Sequence, residues 1–397
     1  MPRICLQNEI SASGLELFPA AGYTLSADLA DADAILVRSA DLHTADLPAG
    51  LKAIARAGVG VNNIPVAACT ERGVAVFNTP GANANGVKEL VLAALLLSSR
   101  RVYQGISWAQ SLAGRGGDVE RAVERGKARF AGPELKGKRL GIVGLGAVGT
   151  MVANDALALG MEVIGYDKYI SIDAAWGLSR HVLRAISLEH LLSSSDYVTV
   201  HVPLNQTTAG MLADPEFKLM RPGVRVINLA RGELVDNDSL RRALDAGVVA
   251  CYVTDFPSAD LLGHDQIIPI PHLGASTPEA EENCAAMAVR QLRDYLERGV
   301  VAHSVNFPDC QLASMQGVRF IVAHRNIPNM IGQITTSLAG DELNITELLN
   351  QHRGDLGYTI IDVEGQPPPD AVRHIKAIDG VMMARVIRQP DLAAGQE

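Results

Sequence analysis

The sequence has no long basic run, no apolar stretch of membrane-spanning length and only five cysteines, and each shortage removes a class of function. Lysine and arginine total 35 against 44 aspartates and glutamates, a net charge of −9. With that acidic balance and no basic tract, nucleic-acid binding is not expected. The longest strongly apolar stretch, LVLAALLL at 90–97, falls far short of the roughly 20 residues of a membrane helix. The N-terminal MPRICLQNEI carries no apolar core of signal-peptide length. Cysteines 5, 69, 251, 284 and 310 have no metal-ligand or redox spacing, so no metal site is expected. An odd, scattered set fits reduced thiols in the cytoplasm. Low-complexity tracts and tandem repeats are also missing, and a soluble cytoplasmic protein is expected.

What is present is globular. At 397 residues, 48% hydrophobic and 20% charged, the chain is long enough for two or three domains. ADAILVRSA (32–40), LKAIARAG (51–58) and GVAVFNTPG (73–81) each read as an apolar strand ending in a polar turn. That repeat predicts an open parallel α/β sheet. Ligands sit beyond the carboxyl ends of such strands, where Arg38, Ser39, Arg56, Gly58, Gly60 and Asn83 fall. Helical spacing over GVKELVLAALLLSSRRVYQG leads to a second α/β unit, opening at GKRLGIVGLGAVG (137–149). Residues 276–299 read as a long helix with a Ser/Thr-Pro-Glu start. The last piece, 316–393, reads β, α, β, β, α, β, the order of a small ferredoxin-like α+β domain.

GIVGLGAVG sets Gly144, Gly146 and Gly149 in G-x-G-x-x-G spacing between strand and helix, with Ala147 and Val148 opening the helix. The pattern allows a tight turn and brings a pyrophosphate to a helix N-terminus. GMEVIGYD then ends a second strand on Asp167, 18 positions past Gly149. An acid there bonds ribose hydroxyls and repels a 2′-phosphate, so the cofactor is expected to be NAD. VRVINLARGELVD ends a strand at Arg231, which either caps or pairs locally or clamps a carboxylate. ACYVTDF ends on Asp255, placed to contact a carboxamide or ribose, or to cap a helix. IPIPHLGAST puts His272 at another strand end, with Gly274 and Ala275 behind it. A histidine that moves the proton accompanying a hydride needs an orienting carboxylate. The 17 positions before it hold Asp255, Asp260 and Asp265 but no glutamate.

Together VRSA, ARAGVGVNNI, NTPGANANGVKELVL, GIVGLGAVG, YVTVHVPLNQTT, INLARGELVD and PHLGAST resemble the D-2-hydroxyacid dehydrogenase family over nearly all of residues 35–290. The resemblance implies two doubly wound Rossmann-like domains, the nucleotide domain (99–284) inserted in the substrate domain (1–98 and 285–308). Helices near 85–101 and 276–299 would act as hinges. It implies that Arg231 binds and polarises a 2-oxo acid and that His272 is the acid/base. Val59 and Gly60 would lie against the substrate carboxylate, with Arg38, Ser39 and Asn83 further out. Val202, Leu229 and Ala230 would line the nicotinamide side. The family's glutamate falls here on Asp260, which would then orient His272. Lys88, where the family usually has a small or neutral residue, either adds charge for an anionic substrate or is a solvated helix lysine.

VAHRNIPNMIGQI followed by LNI resembles an ACT regulatory domain. With that tail the resemblance implies oxidation of D-3-phosphoglycerate at the entry to serine synthesis. Its phosphate would be met by Arg38 with Lys88 or Arg101. His324, Asn326 and Asn344 match positions that bind L-serine between paired ACT domains, and Pro328-Asn329 stands where the family often has Pro-Gly. A homodimer or homotetramer is expected. Two alternatives stay open: another 2-hydroxyacid dehydrogenase, such as a glyoxylate or hydroxypyruvate reductase, and an NAD(H)-sensing protein without turnover.

Overall fold

The computed structural model describes residues 1–114, 116–312, 315 and 317–388. The chain divides into two compact units, Met1–Asn83 with Glu281–Glu397, and Ala84–Ala280.

In the first unit the strands are β1 (Arg3–Gln7), β2 (Thr24–Ser26), β3 (Ala34–Val37), β4 (Ala53–Arg56) and β5 (Ala75–Phe77). They form one parallel sheet in the order β2-β1-β3-β4-β5. Strands β3 and β5 are buried throughout. This is why they read as continuous apolar runs: a parallel sheet is covered on both faces.

The second unit holds β6 (Arg139–Val143), β7 (Glu162–Tyr166), β8 (Leu183–Arg184), β9 (Tyr197–Val200), β10 (Val224–Asn228), β11 (Val249–Thr254) and β12 (Ile267–Pro269). All are parallel, in the order β12-β11-β10-β9-β6-β7-β8. The chain leaves β6 for β7 on one side and returns to β9 on the other. The crevice where such a sheet takes its ligand therefore lies beyond β6 and β9. Helix Ala84–Ser99 belongs to this unit, so the change of unit comes near residue 84 rather than at 98. Its buried Val91, Ala94 and Leu95 share a core with Val152, Ala153 and Ala156 of helix Ala147–Ala158.

The C-terminal strands are β13 (Val318–Arg325), β14 (Asn344–Arg353), β15 (Leu356–Glu364) and β16 (Val381–Arg388), with helices Met330–Gly340 and Ala371–Lys376 between them. The sheet is antiparallel, β14-β15-β13-β16. This is the βαββαβ order that the sequence predicts; residues 316 and 389–393 of that piece lie outside the described residues. Alternation decides what each face does. Phe320 and Val322 turn toward the two helices. Ile321, Ala323, Tyr358 and Ile360 instead join Ala288, Val289, Leu292 and Tyr295 of helix Pro278–Arg298.

The same face caps that helix. Tyr358 donates its hydroxyl to the Gly299 carbonyl at 2.8 Å, and Arg319 donates to the Arg298 carbonyl at 3.0 Å. Arg385 reaches the carbonyls of Tyr295 and Leu296. These are the acceptors a helix C-terminus leaves unpaired. Arg319 and Asp362 meet there as a fully buried bidentate pair, at 2.6 and 2.8 Å. Such a pair is retained because removing one partner strands the other charge. So the C-terminal sheet is built onto the first unit.

Among the described residues no helix is long and apolar enough to cross a membrane. All five cysteines are buried and unpaired. Burial pushes the Cys310 thiol up to about 12 and those of Cys69 and Cys251 to about 11. None of these three is poised as a nucleophile.

Candidate active site

In the second unit the turn from β6 into helix Ala147–Ala158 is built by its three glycines. Gly144 takes φ 93, and a Cβ there would meet the His201 carbonyl oxygen at 2.7 Å and Val202 Cγ1 at 2.9 Å. A Cβ on Gly149 would lie 2.0 Å from the Gly144 carbonyl oxygen. Gly146 faces open space within 4 Å and precedes the first helical residues, Ala147 and Val148. Two of the glycines are thus needed for packing, and one leaves room for a ligand at the helix N-terminus.

Asp167 follows β7 and accepts the amides of Leu145 and Tyr169, each at 2.7 Å. It lines a cavity of about 360 Å³ with Leu145, Tyr166, Lys168, Arg184 and Ile186. That volume lies in the range that takes a nucleoside-sized group.

Beyond β9 and β10, Val202 packs on the Gly144 turn, Leu229 is buried and Ala230 half-buried. Asn228 ties this corner: its side chain accepts the Ala230 amide at 3.2 Å and donates to the Arg231 carbonyl at 2.8 Å. Arg231 is half-buried and donates to the Ala230 carbonyl at 2.6 Å. Asp255, at the end of β11, is 1% exposed. One carboxylate oxygen accepts the Gly274 amide at 3.2 Å, and its backbone carbonyl accepts the His272 amide at 3.1 Å. The other carboxylate oxygen is buried with no partner among the described residues. Burial pushes the Asp255 carboxyl above its ordinary value, against the pull of the Gly274 amide, His272 and Arg231. His272 takes a left-handed backbone, φ 49, and is exposed, with Gly274 buried and Ala275 half-buried behind it.

Two expected site residues have other partners. Asp260 makes no hydrogen bond to His272 among the described residues. It is exposed, and its hydrogen bond to Ser258 holds its carboxyl below the ordinary value, with Asn237 and Arg241 adding to this. Lys88 is not a solvated lysine: it pairs with Asp155 at 2.9 Å and is 16% exposed. Phe256 was not singled out by the sequence, yet its ring centroid lies 4.6 Å from that of His272 and 5.9 Å from Arg231 Cζ. Its only signal is its place directly after Asp255.

Within the first unit, Arg38 follows β3 and is ion-paired with Glu281 at 2.5 Å. Asn8, with φ 86, accepts the amides of Ser39 and Ala40 at 2.9 and 2.7 Å. Arg56 donates to the Arg38 carbonyl at 2.9 Å and to the Gly60 carbonyl. Asn78 donates to the Val59 carbonyl at 2.6 Å, and Asn83 is half-buried. The braces Asn8, Arg56 and Asn78 hold the 38–40 and 58–60 turns. Asn8 is legible only as an asparagine just past a strand, a residue that tolerates positive φ.

In the C-terminal sheet His324 is 1% exposed; its ring meets the Arg325 carbonyl and the Thr359 hydroxyl, each at 2.8 Å. Asn326 is exposed and donates to the Gly354 carbonyl at 3.2 Å. Asn344 lies at the opposite end of the sheet, paired in register with Glu364, whereas His324 pairs with Gly357. One chain therefore does not bring the three together. Asn329 takes φ 64, keeping the left-handed turn that glycine would give.

Among the described residues no cluster of His, Cys, Asp or Glu is arranged to hold a metal. The features of the second unit fit a dinucleotide: an open helix N-terminus at Gly146, a cavity walled by a carboxylate, and an orphaned acceptor on Asp255 suited to a carboxamide.

The profile of the D-isomer specific 2-hydroxyacid dehydrogenase, NAD binding domain, matches residues 92–274. The chain is 32% identical over 406 residues to D-3-phosphoglycerate dehydrogenase of Haemophilus influenzae, covering 95% of each. It is 36% identical over 331 residues to chloroplastic D-3-phosphoglycerate dehydrogenase 2 of Arabidopsis thaliana, covering 77% of this chain and 50% of that one. The chain thus spans about half the length of several relatives that it matches. A crystal structure of NAD+-bound 3-phosphoglycerate dehydrogenase of Entamoeba histolytica superposes with a TM-score of 0.61 at 25% identity, covering 77% of this chain and 98% of that one. The chain belongs to the D-isomer specific 2-hydroxyacid dehydrogenases.

Proposed function

We propose that this chain oxidises the C2 hydroxyl of D-3-phosphoglycerate with NAD, giving 3-phosphohydroxypyruvate, as the first committed step of L-serine synthesis. The observation that carries the reading is the grouping of Arg231, Asp255 and His272 at the ends of β10, β11 and β12 in a nucleotide-binding unit. The names of the relatives that match across the chain support the substrate.

NAD, when held by the Gly146 turn and Asp167, would supply the acceptor for the C2 hydride. Arg231 holds the substrate carboxylate and the oxygen that becomes a carbonyl, a task its planar fork suits. His272 accepts the hydroxyl proton. Asp255 stands beside it, its backbone carbonyl accepting the His272 amide at 3.1 Å. Gly60, Val59, Ser39 and Asn83 are proposed on the substrate side, with Arg38 exchanging Glu281 for the phosphate. Val202, Leu229, Ala230, Gly274 and Ala275 are proposed around the nicotinamide.

L-serine is the proposed effector, bound between the C-terminal sheets of two copies in a homodimer or homotetramer. The separation of Asn344 from His324 within one chain agrees with a site completed by a second copy. Five buried, unpaired thiols agree with the cytoplasm.

NADH absorbance with D-3-phosphoglycerate and NAD tests the reading, with phosphohydroxypyruvate, glyoxylate and hydroxypyruvate in reverse, each with and without L-serine. Turnover suppressed by serine supports all of it. Preference for glyoxylate replaces the substrate. NADH binding without turnover makes the chain a sensor, the reading favoured by the outward-facing Asp260.

A further inference from the structure

His272 lacks the carboxylate partner that its proposed work calls for. Asp260 is turned to Ser258, and among the described residues no side chain hydrogen-bonds the imidazole. Asp255 acts on it by charge and through its backbone carbonyl, neither of which fixes the rotation of the ring. An exposed side chain on a left-handed backbone still has to be held in one rotamer to receive a proton along a fixed line.

The contact that remains is aromatic. Phe256 lies with its centroid 4.6 Å from the imidazole, the planes tilted by 48°. The Arg231 guanidinium carbon stands over the same ring at 5.9 Å. Phe256 is itself fixed. Its amide donates to the Thr254 hydroxyl at 3.0 Å, and Thr254 is fully buried. Its Cβ sits 3.3 Å from where a Cβ on Gly232 would stand, so the ring's base packs on the turn that carries Arg231. One half-buried ring thus touches the turns after β10, β11 and β12, including both residues assigned to the chemistry. The negative face of an aromatic ring attracts cations, so it suits a guanidinium and an imidazole that becomes charged.

We propose that Phe256 is a positioning residue of the reaction: its ring sets the orientation of His272 and Arg231, replacing the steric and electrostatic role of a carboxylate partner. The inference rests on the dehydrogenase reading for its kinetic consequence, but its geometric content stands apart from it.

The test compares Phe256→Leu, Phe256→Tyr and the unaltered protein. With saturating D-3-phosphoglycerate and NAD, Phe256→Leu should lose about 10²-fold in kcat, as expected for a displaced reacting group. Its affinity for NAD should stay within about two-fold, and a primary deuterium isotope effect on the C2 hydrogen should grow. Phe256→Tyr, which keeps the ring, should restore kcat to within about three-fold. The His272 Cε1–H resonance, assigned by its absence in His272→Gln, should move downfield in Phe256→Leu as the ring current is lost and stay put in Phe256→Tyr. Equal activity of the leucine variant and the unaltered protein overturns the proposal. So does an equal loss in both variants that follows melting temperature. If the unaltered protein turns over no 2-hydroxy acid, the dehydrogenase reading fails. The resonance then decides the geometry alone: a His272 signal unmoved by Phe256→Leu overturns the contact.

Discussion

Asp255 accepts the Gly274 amide with one carboxylate oxygen while its other oxygen is buried without a partner among the described residues. The carboxylate is therefore half-satisfied in a place where burial raises its pKa. A folded-state pKa above the unfolded value means the charged form costs stability, and the cost grows as pH rises past the ordinary carboxylate range. Asp255→Asn should raise the melting temperature at pH 7–8, by about 2–4 °C for each kcal/mol relieved. It should also lower kcat at least about ten-fold, because the charge beside His272 is gone. Calorimetry and steady-state kinetics on one preparation check both signs; a variant that melts earlier refutes the account of this carboxylate.

The three turn glycines should separate by experiment. A methyl group on Gly146 enters open space, so Gly146→Ala should melt like the unaltered protein and bind NAD at least about ten-fold more weakly. A methyl on Gly149 would strike the Gly144 carbonyl, so Gly149→Ala should lose roughly 1–3 kcal/mol of stability. Titration calorimetry and urea unfolding of the pair check this. The reverse pattern would mean that Gly146 is structural.

Asp260→Ala should change kcat less than about two-fold. The side chain is exposed and bonded to Ser258, and exposed substitutions usually stay within about 0.5 kcal/mol. A loss near that of His272 variants would return the orienting role to Asp260.

Burial pushes the His201 imidazole down to about 4, and among the described residues its ring hydrogen-bonds only the Thr199 hydroxyl, at 3.0 Å. The unfolded chain takes up this proton near pH 6.5 and the folded chain only near 4. The contribution of His201 is thus fully present above pH 6.5 and is lost as pH falls toward 4, with a limiting slope of about 1.4 kcal/mol per pH unit. His201→Gln should flatten this limb in urea unfolding between pH 6.5 and 4. Parallel curves for the two proteins would contradict the burial argument.

The sheets, the glycine turn, Asp167, Arg231 and His272 are legible because each follows from local pattern: strand, turn residue, strand end. The same reasoning does not reach side chains whose direction is set by distant partners. Lys88 has helical spacing on its side, but only the packing of helix Ala84–Ser99 on helix Ala147–Ala158 brings it to Asp155. Asp260 sits at a plausible spacing, but its carboxylate is exposed and partnered by Ser258. Phe256 could not be read at all, since its contacts join three loops from three strands. Likewise the buried pair Arg319 and Asp362 becomes visible only when β13 and β15 are set in register.

The most direct test of the account is the rate of NADH formation from D-3-phosphoglycerate at saturating NAD, measured for the unaltered protein and His272→Ala. The account predicts turnover that His272→Ala lowers by at least about 10²-fold, with NAD binding unchanged. Turnover that survives the substitution, or an unaltered protein that binds NADH and makes none, would contradict it.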